Sequence, residues 1–145
     1  MKIYPLDIRS MINPSERLPQ DVKYIVYEDD DFMCVYDILH ENKETFHYTA
    51  WCKRDIRSLL DIEQKYIPKI KNLISNMSKE FNLTYDNSDI FIHFPPSYWR
   101  LHIHFTYKGF FKIKHEMHKL YDIIKNISND NNYYRKRVYI KQANL

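Results

Sequence analysis

The stretch Pro95-Pro96-Ser97-Tyr98-Trp99-Arg100-Leu101-His102-Ile103-His104-Phe105 decides how the rest of the chain is read. A polar, proline-marked loop runs into two histidines spaced two residues apart between apolar neighbours. In an extended strand successive side chains point to opposite faces. Arg100, His102, His104 and Thr106 then share one face, and Leu101, Ile103, Phe105 and Tyr107 the other. The apolar row anchors the strand in a core. The polar row lines up a guanidinium, two imidazoles and a hydroxyl, a set able to hold a phosphate and attack it.

A neutral imidazole is a nucleophile, and its near-neutral pKa keeps it partly unprotonated. Attack on a phosphoryl group gives a phosphoramidate and splits one hard substitution into two easier ones. A second histidine and an arginine can neutralise charge on the phosphoryl oxygens. Spacing alone leaves two other readings open. Alternating histidines on a strand can bind zinc or another metal, with His93 the nearest third ligand. They can also be half-exposed polar positions with no chemistry. His115 and His118 stand one helical step apart, where they either share a metal or lie on a solvated helix face.

Working outward, Tyr24 to Tyr27 is β-rich and precedes an acidic turn, Glu28 to Asp31. Phe32 to Tyr36 reads as the returning strand of a hairpin. His40 to Glu44 is a polar loop, and Thr45 to Cys52 a third strand. Beyond Ser58 or Asp61, either of which can cap a helix, Ile62, Tyr66, Ile70, Leu73, Ile74, Met77 and Phe81 recur at three- and four-residue steps. That stripe predicts a long helix packed on a core, with a kink at Pro68. Residues 82–88 form a loop and Asp89 to Phe94 a fourth strand. The histidine strand ends at Gly109. Residues 115–127 are expected as a second, shorter helix and 135–141 as a last strand. Residues 1–20 carry Pro5, Pro14 and Pro19 without periodicity and read as an arm, leaving 21–145 as one domain. Strands dominate and helices are segregated, which predicts an α+β fold with an antiparallel sheet.

Composition narrows the function classes. The chain has 145 residues, enough for one domain, and 22 basic against 19 acidic residues give a net charge of +3. So small an excess does not by itself argue for a nucleic-acid polymer as the ligand and is compatible with a small polyphosphate. Gly109 is the single glycine, so no glycine-rich phosphate loop is present, and side chains or a helix N-terminus must bind any phosphate. No apolar run or signal-peptide pattern points to a membrane. Cys34 and Cys52 sit in apolar, strand-like contexts and read as buried reduced thiols, which suits a cytoplasmic protein.

The stretch from Phe91 to Thr106 closely resembles the signature of scavenger mRNA-decapping pyrophosphatases, the DcpS-like branch of the histidine-triad (HIT) superfamily. The block Trp51-Cys52-Lys53-Arg54-Asp55-Ile56-Arg57-Ser58-Leu59 resembles that family's strand end and turn before its long helix. The resemblance runs from about Tyr24 to the C-terminus and implies a HIT-like sheet with one long and one shorter helix. It implies His102 as nucleophile, with His104, His93, Ser97 and Tyr98 on the phosphates, Arg100 beside them, and Asp37 on the methylated base. A carboxylate suits a cationic 7-methylguanine, and an aromatic stack would add cation–π attraction. Lys53, Arg54 and Arg57 either steer an anionic ligand or form a solvated basic turn.

The implied reaction is hydrolysis of a nucleotide pyrophosphate, most of all in a capped dinucleotide or short capped RNA, by a homodimer with no metal or other cofactor. Two alternatives stand beside it: a HIT hydrolase of other nucleotides such as dinucleoside polyphosphates, and a catalytically weak cap- or nucleotide-binding module. Three departures from the family pattern bear on the choice. Arg100 replaces the first triad histidine, keeping phosphate affinity and losing a hydrogen-bond acceptor. Leu39, followed by His40, stands where the family usually has a lysine. The large N-terminal domain that closes over the cap in cellular relatives has no counterpart in this sequence, which bears on lid-gated closure.

Overall fold

Among the described residues, five segments rich in β-branched and aromatic side chains and a sixth, short one form one antiparallel sheet. The computed structural model describes residues 25–36, 46–96, 100–112, 114 and 116–137. Strands β1 (Ile25–Glu28), β2 (Phe32–Tyr36), β3 (His47–Cys52), β4 (Ser88–His93), β5 (His102–Tyr107) and β6 (Met117–Lys119) are joined by two helices, α1 (Ile67–Phe81) and α2 (Leu120–Asn129). The sheet order is β1-β2-β3-β5-β4-β6. Every neighbouring pair is antiparallel, as the sequence leads one to expect of an α+β chain.

Register divides the sheet into two unlike faces. Ala50 stands opposite Ile103, and Tyr48 opposite Phe105, which in turn faces Ile90. With Phe32, Cys34, Cys52, Ile92 and Leu101 these residues meet Ile70, Leu73 and Met77 of α1 and Leu120, Ile123 and Ile127 of α2 in one buried cluster. Each fully buried aliphatic side chain contributes about 1.5–3 kcal/mol relative to exposure. Both helices therefore cover the same face. On the other face Met33 opposes Trp51, Trp51 opposes His102, and Thr49 and Phe91 flank His104. The expected alternation along β5 holds, with Leu101, Ile103 and Phe105 in the helix-side core.

Several boundaries differ from the sequence expectation. The long helical pattern opens with two separate 3₁₀ turns, Leu59–Asp61 and Gln64–Tyr66, before α1 begins. Ser58 does cap the first of them, its Oγ accepting from the Leu60 N–H at 3.1 Å. Pro68 lies in the first turn of α1, not inside it, and so kinks nothing. A first-turn proline loses an N–H that had no intrahelical partner anyway. Asn82 closes α1 at φ 57°, a left-handed conformation that asparagine tolerates better than most residues.

The expected helix over 115–127 starts later. Residues Met117–Lys119 are strand β6, and the helix runs over Leu120–Asn129. An open β4 edge offers unpaired backbone groups, and three residues of β6 satisfy them, with Ile92 opposite His118. His118 therefore stands on a strand, its ring edge-on to Tyr134 at 5.5 Å, and not on a helix face. His115 lies outside the described residues. The expected strand over 135–141 is overturned in its described part, since 133–137 is helical. Arg135 Nε donates to the Leu60 carbonyl at 2.7 Å and Asn126 Nδ2 to the Tyr134 hydroxyl at 3.0 Å, pinning that turn to the body. Residues 138–141, the 1–20 arm and the 40–44 loop lie outside the described residues.

Gly109 ends β5 at φ 82°, where an L side chain would be strained. Its N–H donates to Asp89 Oδ2 at 2.9 Å. Cys34 and Cys52 are buried free thiols. Among the described residues no helix is long and apolar enough to cross a membrane.

Candidate active site

The β3–β5 register sets the site. Cys52 N–H donates to the Leu101 carbonyl and Leu101 N–H to the Ile56 carbonyl, both at 2.9 Å, fixing the chain just before β5. The Arg100 carbonyl then lies 2.8 Å from His102 Nδ1. A carbonyl only accepts, so Nδ1 carries the proton and Nε2 carries the imidazole lone pair. The ring stacks on Trp51, with centroids 4.5 Å apart and planes at 26°. His102 is 9% exposed, enclosed yet at the surface limit of the sheet.

His104 follows on the same face, its ring 5.0 Å from that of His102. Phe91 stacks against it at 5.0 Å and 15°. His104 Nδ1 shares a hydrogen bond of 3.1 Å with His47 Nε2, one ring donating and the other accepting. Burial, reinforced by His102, His47 and His93, holds the His104 pKa well below the usual histidine value. His104 is thus neutral at physiological pH. His93 ends β4 on the same face as Phe91. Burial lowers its pKa too, opposed by Glu116 and helped by Lys114.

His47 is the residue that sequence reading passed over. Its signal lay in pairing the third strand with the histidine strand, which sets His47 opposite Thr106 and on the histidine face. Phe110 and Phe111, just past β5, present their rings edge-on to His47 at 5.8 and 5.9 Å and wall off that side. The structure thus brings His102 and His104 together, adds His47 and Trp51, and sets His93 close enough to bias His104.

Arg100 turns toward the preceding loop, where its Nη1 donates to the Arg54 carbonyl at 2.7 Å. Two of the three basic residues of that loop are committed to ion pairs. Lys53 pairs with Glu28, and Arg54 Nε donates to Asp31 Oδ1 at 2.9 Å. Asp31 also has Lys69 Nζ at 3.5 Å. Asp37, Ser97 and Tyr98, with Leu39 and His40, lie outside the described residues. Among the described residues no group of three or more His, Cys, Asp or Glu side chains is disposed to hold a metal ion.

The sequence that builds the sheet, the histidine strand and the preceding turn matches a known family. The family model described as "Scavenger mRNA decapping enzyme C-term binding" matches residues 14–121, well over half of the chain. The chain belongs to this family. The match takes in the six strands seen among the described residues and ends in the first turn of α2. The m7GpppX diphosphatase of Rattus norvegicus is 29% identical over 127 residues, covering 78% of this chain and 38% of that protein. The m7GpppX diphosphatase of Schizosaccharomyces pombe is 33% identical over 54 residues, 34% of this chain and 18% of that protein. Among solved structures, a HIT family hydrolase from Legionella pneumophila Philadelphia 1 aligns with a TM-score of 0.48 at 14% identity, covering 63% of this chain and 85% of that one. The chain thus spans little more than a third of the length of the mammalian relative it matches.

Proposed function

We propose that this DcpS-like domain hydrolyses nucleotide pyrophosphates through a covalent His102 intermediate, with the 7-methylguanosine cap of a dinucleotide or short RNA as its substrate. The observation that carries the proposal is the hydrogen bond from His102 Nδ1 to the Arg100 carbonyl, which puts the lone pair on Nε2. Nε2 attacks the phosphorus adjoining the methylated nucleoside, an N–P bond forms, and the P–O bond to the next phosphate breaks. A nucleoside diphosphate or short 5′-diphosphate RNA leaves. Water then attacks the phosphoramidate, gives up a proton, and releases 7-methylguanosine monophosphate and neutral His102. His104, kept neutral by burial, can lend an N–H to a phosphoryl oxygen without adding a charge that would lower His102 basicity. His93, Arg100, Ser97 and Tyr98 belong to the proposed phosphate contacts and Asp37 to the base, in a homodimer.

A second reading has its own support. The described groups beside His102 and on the adjoining loop are imidazoles, an indole and a guanidinium, which suit nucleotide polyphosphates in general, dinucleoside polyphosphates included. Turnover of methylated cap dinucleotide, unmethylated cap dinucleotide and diadenosine polyphosphate is the deciding comparison. A clear preference for the methylated cap supports the cap reading, and equal rates on all three overturn it. Binding of the cap without turnover would leave a binding module in place of an enzyme.

A further inference from the structure

The loop between β3 and the first 3₁₀ turn carries three cations, Lys53, Arg54 and Arg57, and they are not alike. Lys53 and Arg54 are neutralised by Glu28 and Asp31. Arg57 has no such partner among the described residues. Its Nε and Nη2 are buried and have no hydrogen-bond partner there, and the same is true of Arg100 Nε. A buried guanidinium donor left unpaired is costly, and a bound anion is one way to satisfy it. Nε and Nη2 form one edge of the guanidinium, two parallel N–H groups spaced for the two oxygens of a phosphate or carboxylate. The Ile56 carbonyl accepts from Leu101 N–H at 2.9 Å, and Arg100 Nη1 donates to the Arg54 carbonyl at 2.7 Å. These two bonds lace the Arg57 loop to the residues that hold His102.

We propose that the Arg57 edge is an anion subsite that takes a phosphate of the departing nucleoside diphosphate. This deepens the hydrolase reading and rests on it for the identity of the ligand. The physical demand is specific. When the P–O bond breaks, negative charge moves onto the leaving phosphate, and a guanidinium whose donors are already desolvated meets that charge without reorganising water. The other product, 7-methylguanosine monophosphate, keeps its phosphorus on His102 and makes no use of this subsite.

Binding of the two products without turnover tests the assignment. Titration calorimetry of the full chain with GDP, inorganic pyrophosphate and 7-methylguanosine monophosphate compares wild type with Arg57→Ala and Arg57→Lys. GDP and pyrophosphate affinity should fall about tenfold or more in Arg57→Ala, the scale of a lost charge-assisted pair, while the monophosphate is unchanged. Arg57→Lys keeps the charge without the fork and should recover only part of the loss. An equal loss for all three ligands assigns Arg57 a structural role and overturns the proposal, as does no loss for any. Thermal unfolding of each variant accompanies the titration; if Arg57→Ala is unfolded, Arg57→Lys alone decides, with unchanged GDP affinity overturning the subsite. If wild type fails to hydrolyse caps yet shows this pattern, the catalytic reading fails and the subsite stands.

Discussion

His102 sits where three constraints meet: a carbonyl that fixes its tautomer, an indole against its face, and a neutral neighbour at His104. Replacing it by asparagine keeps a polar group of similar bulk and removes the proposed nucleophile. Steady-state turnover should fall by about 10³-fold or more with cap binding retained. Undiminished turnover would move the attacking group elsewhere. His47 reaches the proposed site through its hydrogen bond to His104. His47→Phe removes the shared hydrogen bond, and its effect should fall on kcat more than on KM, accompanied by a shift of the acidic limb of the pH–rate profile. A proportional loss of folded protein with an unchanged profile would mark His47 as packing alone.

The histidine pKa values also set a stability trend. His104 and His93 are both depressed in the folded state by burial. The unfolded chain then binds protons first, near pH ~6.5, while the folded one resists. The contribution of these groups is therefore intact above that pH and is lost as pH falls below it toward the folded values. Denaturant midpoints should be level from pH 7 to 8 and drop between pH 6.5 and 5, with a smaller drop in His104→Gln. A flat profile would contradict the burial-driven shift.

At the scale of elements, α1 shows what pattern reading captures. The stripe of Ile70, Leu73 and Met77 is buried as its spacing foretold, because nothing competes with a long apolar face for the core. Leu73→Ala should cost about 2–5 kcal/mol in chemical denaturation, and a loss below half a kilocalorie would remove Leu73 from the core. The short elements were less legible. Residues 117–119 carry a helix-compatible sequence, yet the exposed edge of β4 draws them into a strand. Residues 135–137 are Arg-Lys-Arg, good helix formers drawn into the expected strand only by the Val138-Tyr139-Ile140 run that follows them in sequence, and Arg135 reaches back to Leu60 and holds a helical turn. At 117–119 long-range backbone pairing outweighs a local preference worth a few tenths of a kilocalorie per residue. Asn82→Ala, at φ 57°, should destabilise α1 by about 1 kcal/mol, whereas Asn82→Gly should be near neutral.

At the scale of the molecule, the single sheet keeps structure and chemistry on opposite sides. The helix-covered face was legible from periodicity, and so was the row of His102 and His104 on the other. What periodicity could not supply was register, and register is what sets His47 beside His104 and Trp51 beside His102. Long-range pairing of β3 with β5 depends on the summed fit of two faces, which no local window contains.

The carbonyl of residue 100 carries one more consequence. The hydrogen bond that selects the His102 tautomer comes from the main chain, and every amino acid supplies the same carbonyl there. The reactive proton arrangement is therefore inherited with the backbone path and survives a change of side chain. Position 100 can therefore carry any side chain without changing the His102 tautomer, which leaves that side chain at liberty to acquire another use.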